Sequence, residues 1–186
     1  MDPAYGGGVL SLDIAPARIR DLEPWHADQL ATFFQRHGAG LYEWLPWEHM
    51  EETDAARSFL TSFTDGRAAD TRRLFGIWTG DELVGGVLFP SLNTRSGIGE
   101  LGVFLAEPAR GQGIVTRAVE AMIAWAFEER GLRRLEWRCA PGNESSRAVP
   151  QRLGFTHEGT LRQVFKVRDH YDDLEVWALL RGEWRR

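Results

Sequence analysis

The segment that most constrains this chain is Glu100-Leu-Gly-Val-Phe-Leu-Ala-Glu-Pro-Ala-Arg-Gly-Gln-Gly-Ile-Val-Thr116. Its apolar start, Gly99–Leu105, reads as a strand. A loop carrying Gly111 and Gly113 follows, and a helix begins at about Ile114. Backbone N–H groups in a helix's first turn lack internal partners, and the helix dipole favours negative charge there. Glycines let the main chain approach a ligand closely, so this order suits phosphate binding. Arg110 and Thr116 add side-chain donors. From the glycines alone, a phosphate cradle and an ordinary loop remain equally open. A dinucleotide fold fits less well, because Thr116 replaces the third glycine of G-x-G-x-x-G and no parallel-sheet pattern precedes it. The Gly-Lys-Ser/Thr of a P-loop is absent.

The rest of the chain reads as a mixed α/β domain without repeats. Met1–Gly8 reads as a floppy lead-in, and residues 9–186 as one domain. Leu10–Leu22 suggests one or two short strands broken at Pro16. Pro24 opens a helix that Gly38 ends, with Trp25, Leu30, Phe33 and Phe34 as its expected buried face. Thr53 is a candidate N-cap for a helix through about Phe63. Leu74–Thr79, Leu83–Phe89 and Gly99–Leu105 are expected as three consecutive antiparallel strands, the first two joined by a tight turn at Gly80-Asp81. From Val115 to Phe127 apolar residues recur every three or four positions, predicting a long helix stopped by Gly131. Leu135–Cys139 reads as a strand and Asn143–Leu153 as a short helix. Phe155–Phe165 and Tyr171–Leu180 read as a closing hairpin.

Composition narrows the function classes. The 186 residues form one domain with enough chain for a real core. No apolar run is long enough for a membrane span, and the start lacks a secretory pattern, so a cytoplasmic protein is expected. The single cysteine, Cys139, excludes an internal disulfide, and it is expected to be buried rather than nucleophilic. A net charge of −5 disfavours nucleic acid and suits a cationic partner. His26, His37, His157 and His170 show no metal-ligand spacing, so no metal is expected.

Three stretches together carry a family resemblance. Arg110-Gly-Gln-Gly-Ile-Val115 resembles the R/Q-x-x-G-x-G/A acetyl-CoA signature of the GNAT acetyltransferases, with Val115 at the last small position. Trp44-Leu-Pro-Trp47, and Asn143-Glu-Ser-Ser-Arg-Ala-Val-Pro-Gln-Arg-Leu-Gly-Phe155 with its continuation to Arg162, look like the RimJ/RimL-type N-acetyltransferases. The resemblance spans roughly Arg18 to Leu180. It implies a single-domain fold whose central, mostly antiparallel sheet splays open between flanking helices. It also implies acetyl-CoA as donor and a primary amine as acceptor, and members of the group often form homodimers.

Carried onto this sequence, the resemblance makes Arg110, Gly111, Gln112, Gly113, Ile114, Val115 and Thr116 the cofactor loop. The Val103 N–H becomes the candidate oxyanion donor, with Leu105 further along the cofactor arm, and Gly102 fits a local bulge. Asn143 faces the cofactor, and Ser146 lies near its sulfur as the candidate general acid. Many GNAT enzymes place a tyrosine acid five residues before the Gly-Phe phenylalanine; here that position is Pro150. As a helix N-cap, Asn143 has an equally good structural role.

Acetyl transfer to nitrogen needs a neutral amine. An α-amine, with a pKa near about 8, needs less help than a lysine-type amine at about 10.4. Glu100, at the start of the cofactor strand, is the leading candidate base, acting through water with a pKa raised by an apolar cleft; a solvated strand end is the competing reading. Trp44, Trp47, Glu48 and His49, with Glu51 and Glu52 beyond, are candidates for the acceptor side. So is Tyr171, beside Asp172 and Asp173. The acceptor is expected to be cationic: a protein N-terminal α-amine, or an amine of a small molecule such as a cationic antibiotic. Two other classes remain open: a catalytically silent acyl-CoA sensor, and a dinucleotide-dependent redox protein.

Overall fold

A computed structural model describes residues 11–185. The expected lead-in, Met1–Gly8, lies outside them. The strands are β1 (Ser11–Ile14), β2 (Ala17–Asp21), β3 (Arg73–Thr79), β4 (Glu82–Asn93), β5 (Ile98–Leu105), β6 (Arg134–Cys139), β7 (Thr156–Val167) and β8 (His170–Leu180). The helices are α1 (Ala27–His37), α2 (Thr53–Ala68), α3 (Ile114–Ala124) and α4 (Glu144–Arg152). One eight-stranded sheet runs in the order β1-β2-β3-β4-β5-β6-β8-β7. Every neighbouring pair is antiparallel except β5 and β6.

The sheet separates two cores. On one face, β-strand residues such as Phe89, Leu101, Leu135 and Trp137 pack against α3 through Ile114, Val119, Met122 and Ile123. On the other, Leu74, Leu88 and Phe104 meet α1 and α2 through Leu30, Phe33, Phe34 and Leu60. Alternation along β5 therefore assigns Leu101 and Leu105 to one face and Phe104 to the other. No helix of the described residues is long and apolar enough to cross a membrane.

Several local expectations need correction. Trp25 is 71% exposed, because a 3-10 turn at Pro24–His26 precedes α1 and points that ring outward. Thr53 does not cap α2: Glu52 holds the cap position, and the Thr53 hydroxyl donates to Asp28 instead. α2 runs on to Ala68, past Phe63, and β4 on to Asn93, past Phe89. The long helix changes pitch at Trp125, where a π-helical turn carries it to Glu129; Arg130 N–H bonds the Trp125 carbonyl, and Gly131 ends it with φ +68°. The bulge near Gly102 belongs to β4. Leu88 opposes Gly102 and Ser91 opposes Glu100, so the extra residue lies between Leu88 and Ser91, at Phe89-Pro90.

Candidate active site

The parallel pairing of β5 with β6 is short. It covers Ile98–Leu101 against Arg134–Trp137 and then stops, although both strands continue. Beyond that point the strands diverge and leave a gap in the sheet. The N–H groups aimed into the gap follow from alternation. Ala106 N–H donates to the Val84 carbonyl, on the β4 side. Phe104 and Gly102 N–H therefore face β4 as well, and Val103 and Leu105 N–H face the gap.

The loop after β5 sits at one end of this gap. Gly111 and Gly113 have φ of +76° and +71°, a left-handed conformation that glycine adopts without steric cost. Gly113 is the residue before α3, and the N–H groups of Gly113, Ile114, Val115 and Thr116 have no acceptor among the described residues. These four donors at a positive helix end fit an anionic ligand. Arg117 braces the loop from outside: its guanidinium donates to the Gln112 carbonyl and to the Ile14 carbonyl of β1. Arg152, from α4, donates to the Thr116 hydroxyl at 3.1 Å. Sequence reasoning missed both arginines, because nothing near them in the chain marks a contact made 36 or 103 residues away.

A cleft of about 810 Å³ runs from this loop through the gap. It brings together Arg110, Gly111, Gly113, Ile114, Val115 and Thr116 with Val103, Leu105, Asn143 and Ser146. Trp44, Trp47 and Glu100 line it as well. Gln112 is exposed, and its side chain donates to the Pro108 carbonyl. Glu48 and His49 line a second chamber of about 360 Å³, with Tyr42, Glu51, Lys166 and Arg168; Leu45, Pro46 and Trp47 are shared with the main cleft. Tyr171 lines neither and is 58% exposed.

Ser146 and Asn143 hold each other's geometry. The Asn143 side-chain oxygen caps α4 by accepting from Ser146 N–H at 3.0 Å, so its structural role is realised. Ser146 Oγ accepts from the buried Trp137 Nε1 at 3.1 Å, which fixes the oxygen, and its hydroxyl also interacts with the Cys139 sulfur. Cys139 is buried, and burial with the nearby Glu175 pushes its thiol up to about 11. It stays protonated at neutral pH.

Glu100 sits on β5 where the pairing is about to end. Burial raises its carboxyl above the ordinary range; Arg138, 3.7 Å away, pulls it down, and the neighbouring Glu136 adds to the rise. For Glu136 burial also acts upward, but hydrogen bonds from Arg134 and Arg138 outweigh it and its pKa is lowered. Two adjacent carboxyls are thereby pushed in opposite directions. Glu100 is the one that lines the cleft.

One wall of the cleft is framed by residues 41–51. Leu41 and Met50 are buried anchors, and the Tyr42 hydroxyl bonds Glu51 across the loop's base. Burial and that bond push the Tyr42 pKa up to about 12, so the bond holds through neutral pH. Trp47 packs on Phe59, Phe104 and Phe34, with ring centroids 4.8, 5.4 and 5.9 Å away. Trp44 reaches over Gly142 in the turn before α4.

A family model described as an acetyltransferase (GNAT) domain matches residues 15–156 of this chain. The chain is a GNAT acetyltransferase. Among its relatives, Bacillus subtilis YdaF is 34% identical over 168 residues, covering 89% of this chain and 92% of that one. The ribosomal-protein-serine acetyltransferase of Escherichia coli is 35% identical over 106 residues, 57% of this chain and 59% of that protein. Mycobacterium smegmatis RimJ, solved in complex with a CoA disulfide, superposes with a TM-score of 0.87 at 22% identity, covering 100% of this chain and 93% of that one. These likenesses agree with the RimJ/RimL-type resemblance of the Trp44–Trp47 and Asn143–Arg162 stretches. As a GNAT acetyltransferase the chain takes its acetyl group from acetyl-CoA, and the unpaired N–H groups of Gly113–Thr116 fit that donor's phosphates.

Proposed function

We propose that this GNAT acetyltransferase acetylates the α-amine at a protein N-terminus, by direct attack of the amine on the thioester. The observation that carries this reading is Glu100, the half-buried carboxylate with a raised pKa at the point where the sheet opens. Such a base, through one water, is enough for an α-amine of pKa about 8 and poorly matched to a lysine-type amine. The second chamber supports it, since a chain whose first residue lies in the main cleft can continue past Trp47.

Acetyl-CoA supplies the activated acyl group. Arg110 and the N–H groups of Gly113–Thr116 hold its phosphates; Asn143 and the Leu105 N–H lie along its arm. Val103 N–H donates to the carbonyl oxygen as negative charge develops there. Glu100 takes the amine's proton through water and passes it to solvent, and the Ser146 hydroxyl gives a proton to the departing sulfur and regains one from solvent.

Acetyl-CoA is expected to raise the melting temperature, and N-terminal peptides to release CoA in a thiol assay. Stabilisation without release by any peptide, polyamine or cationic antibiotic identifies a silent sensor. No stabilisation at all removes the enzyme reading.

The role of Glu100 sets a pH dependence. Below its raised pKa the carboxyl is protonated and cannot accept, so kcat/KM climbs as pH rises through that value. E100Q is expected to lower kcat/KM by on the order of 10² and to abolish that acid limb. A carboxyl whose folded pKa is raised contributes stability at low pH that is lost as pH rises through that pKa. E100Q, which mimics the protonated form, is therefore expected to melt no lower than the parent at pH 7. A limb that persists in E100Q assigns it to another group.

Ser146→Ala is expected to reduce kcat while acetyl-CoA binding persists. It also leaves Trp137 Nε1 without its acceptor, at a cost of about 1–3 kcal/mol, so melting falls by several degrees. The same loss of stability with full turnover leaves Ser146 a purely structural partner.

A further inference from the structure

Two guanidiniums flank the acceptor side of the cleft, and they differ in how their charge is balanced. Arg138 has Glu136 at 2.9 Å and Glu100 at 3.7 Å. Arg72 has no carboxylate partner among the described residues. Its Nε donates to the Pro90 carbonyl at 3.2 Å, its Nη1 approaches Ser62 Oγ at 3.5 Å, and its Cζ lies 4.2 Å from the centroid of the Phe63 ring. A carbonyl, a hydroxyl and a ring face orient a cation without neutralising it. The side chain is half-buried and lines the same cleft as Glu100.

Strand geometry relates the two. Arg72 directly precedes β3, two positions before Leu74, which packs toward α1 and α2, so Arg72 shares that face. Glu100 lies on the same face, an even number of residues from Phe104. β4 lies between them, and Pro90, the acceptor of the Arg72 bond, falls in the β4 bulge next to Ser91, the partner of Glu100. Two strand spacings separate β3 from β5, about 10 Å. That is roughly the length of two to three extended residues.

A fixed guanidinium lacking a counterion in a cleft suits a planar or tetrahedral oxyanion, which it can meet with two N–H donors. A polycation entering here would instead bring like charge against it. We propose that Arg72 is a specificity residue that holds a carboxylate or phosphate carried by the acceptor. The acceptor is then an amine with an anionic group two to three residues' length away, which deepens the N-terminal acetyltransferase reading and rests on it. The net charge of −5 attracts ammonium groups at long range; the local cation at Arg72 selects among them.

The test compares matched acceptors: the dipeptide amides Ser-Glu, Ser-Gln and Ser-Lys, aminoethyl phosphate, and hexapeptides with Glu, Gln or Lys at position two or three. The parent protein is expected to favour Glu over Lys by about tenfold or more in kcat/KM. Preference confined to hexapeptides assigns the group to a protein N-terminus, and preference among dipeptides or for aminoethyl phosphate assigns it to a small molecule. R72M is expected to bring the Glu-to-Gln ratio toward one, R72E to reverse the preference, and R72K to keep it. A purely structural Arg72, bonded to Pro90, would not respond to charge in that order. No preference in the parent, or a preference that survives in R72M and R72E, overturns the assignment.

Binding of the acetylated dipeptides to CoA-loaded protein, followed by tryptophan fluorescence, reads the same preference without turnover. Charge-selective binding that depends on Arg72, together with no CoA release from any amine, supports Arg72 and defeats the catalytic reading. Equal affinities for the Glu and Lys products overturn the Arg72 assignment whatever the turnover.

Discussion

Val103→Pro is expected to lower kcat by roughly 10²–10³ while leaving most of the acetyl-CoA affinity in place. Proline removes one N–H and changes little else in size. At most β-strand positions that would break a ladder bond, but alternation from the Ala106–Val84 bond aims the Val103 N–H into the gap between β5 and β6. No bond within the sheet is lost there, so the fold is expected to survive. What disappears is a donor fixed in place before the reaction begins, worth most when charge develops on the acceptor atom. Leu105→Pro, with an N–H facing the same gap further along, is the comparison. It is expected to weaken acetyl-CoA binding more than kcat. A Val103→Pro protein that melts normally and turns over at the parent rate removes the Val103 N–H from the chemistry.

The second large effect is expected at the start of α3. Gly113→Val forces a β-branched residue into φ +71°, and its Cβ would lie 2.8 Å from the Arg117 guanidinium that braces the loop. Left-handed backbone costs an ordinary residue about 1–2 kcal/mol, and more for a branched one. The loop can escape only by rotating its N–H groups away from their convergence. Acetyl-CoA affinity is expected to fall on the order of 10²-fold, measured by calorimetry or by the concentration needed for thermal stabilisation. Gly111→Ala separates backbone strain from crowding: it shares the left-handed φ, but its added Cβ meets nothing within 4 Å. A smaller loss is expected there. Equal losses at the two positions would place the whole effect in the backbone.

The loop end of the cleft was legible in the sequence because its physics is local. A helix start, two glycines and a strand end are neighbours in the chain, and Arg110–Thr116 meets the cleft as read, except for Gln112. Asn143 and Ser146 also sit within one turn of α4, and Asn143 both caps that helix and lines the cleft. The wall formed by residues 41–51 was less legible. Trp44 and Trp47 line the cleft, but Glu48 and His49 next to them turn into the second chamber, and His49 has a φ of +55° that no pattern announced. Arg72 carried no signal at all. Its position depends on the pairing of β3 with β4 and on a bulge in β4 that the apolar run Leu83–Phe89 was too short to reveal. The π turn at Trp125 likewise leaves the three- and four-residue spacing intact, so periodicity alone reads straight through it.

The loop closed by Tyr42 and Glu51 has a consequence for how this enzyme can change over time. Its path is set by two buried anchors and one side-chain bond at the base, and by Trp47 packed on Phe34, Phe59 and Phe104. Ordering a free segment costs about 1–2 kcal/mol per residue, and here folding has already met that cost before any acceptor arrives. Residues between the anchors other than Leu45 and Trp47, which pack on the core, can therefore be exchanged without unmaking the frame. A new acceptor can be acquired by altering what the frame displays, while the machinery on the far wall of the cleft stays as it is.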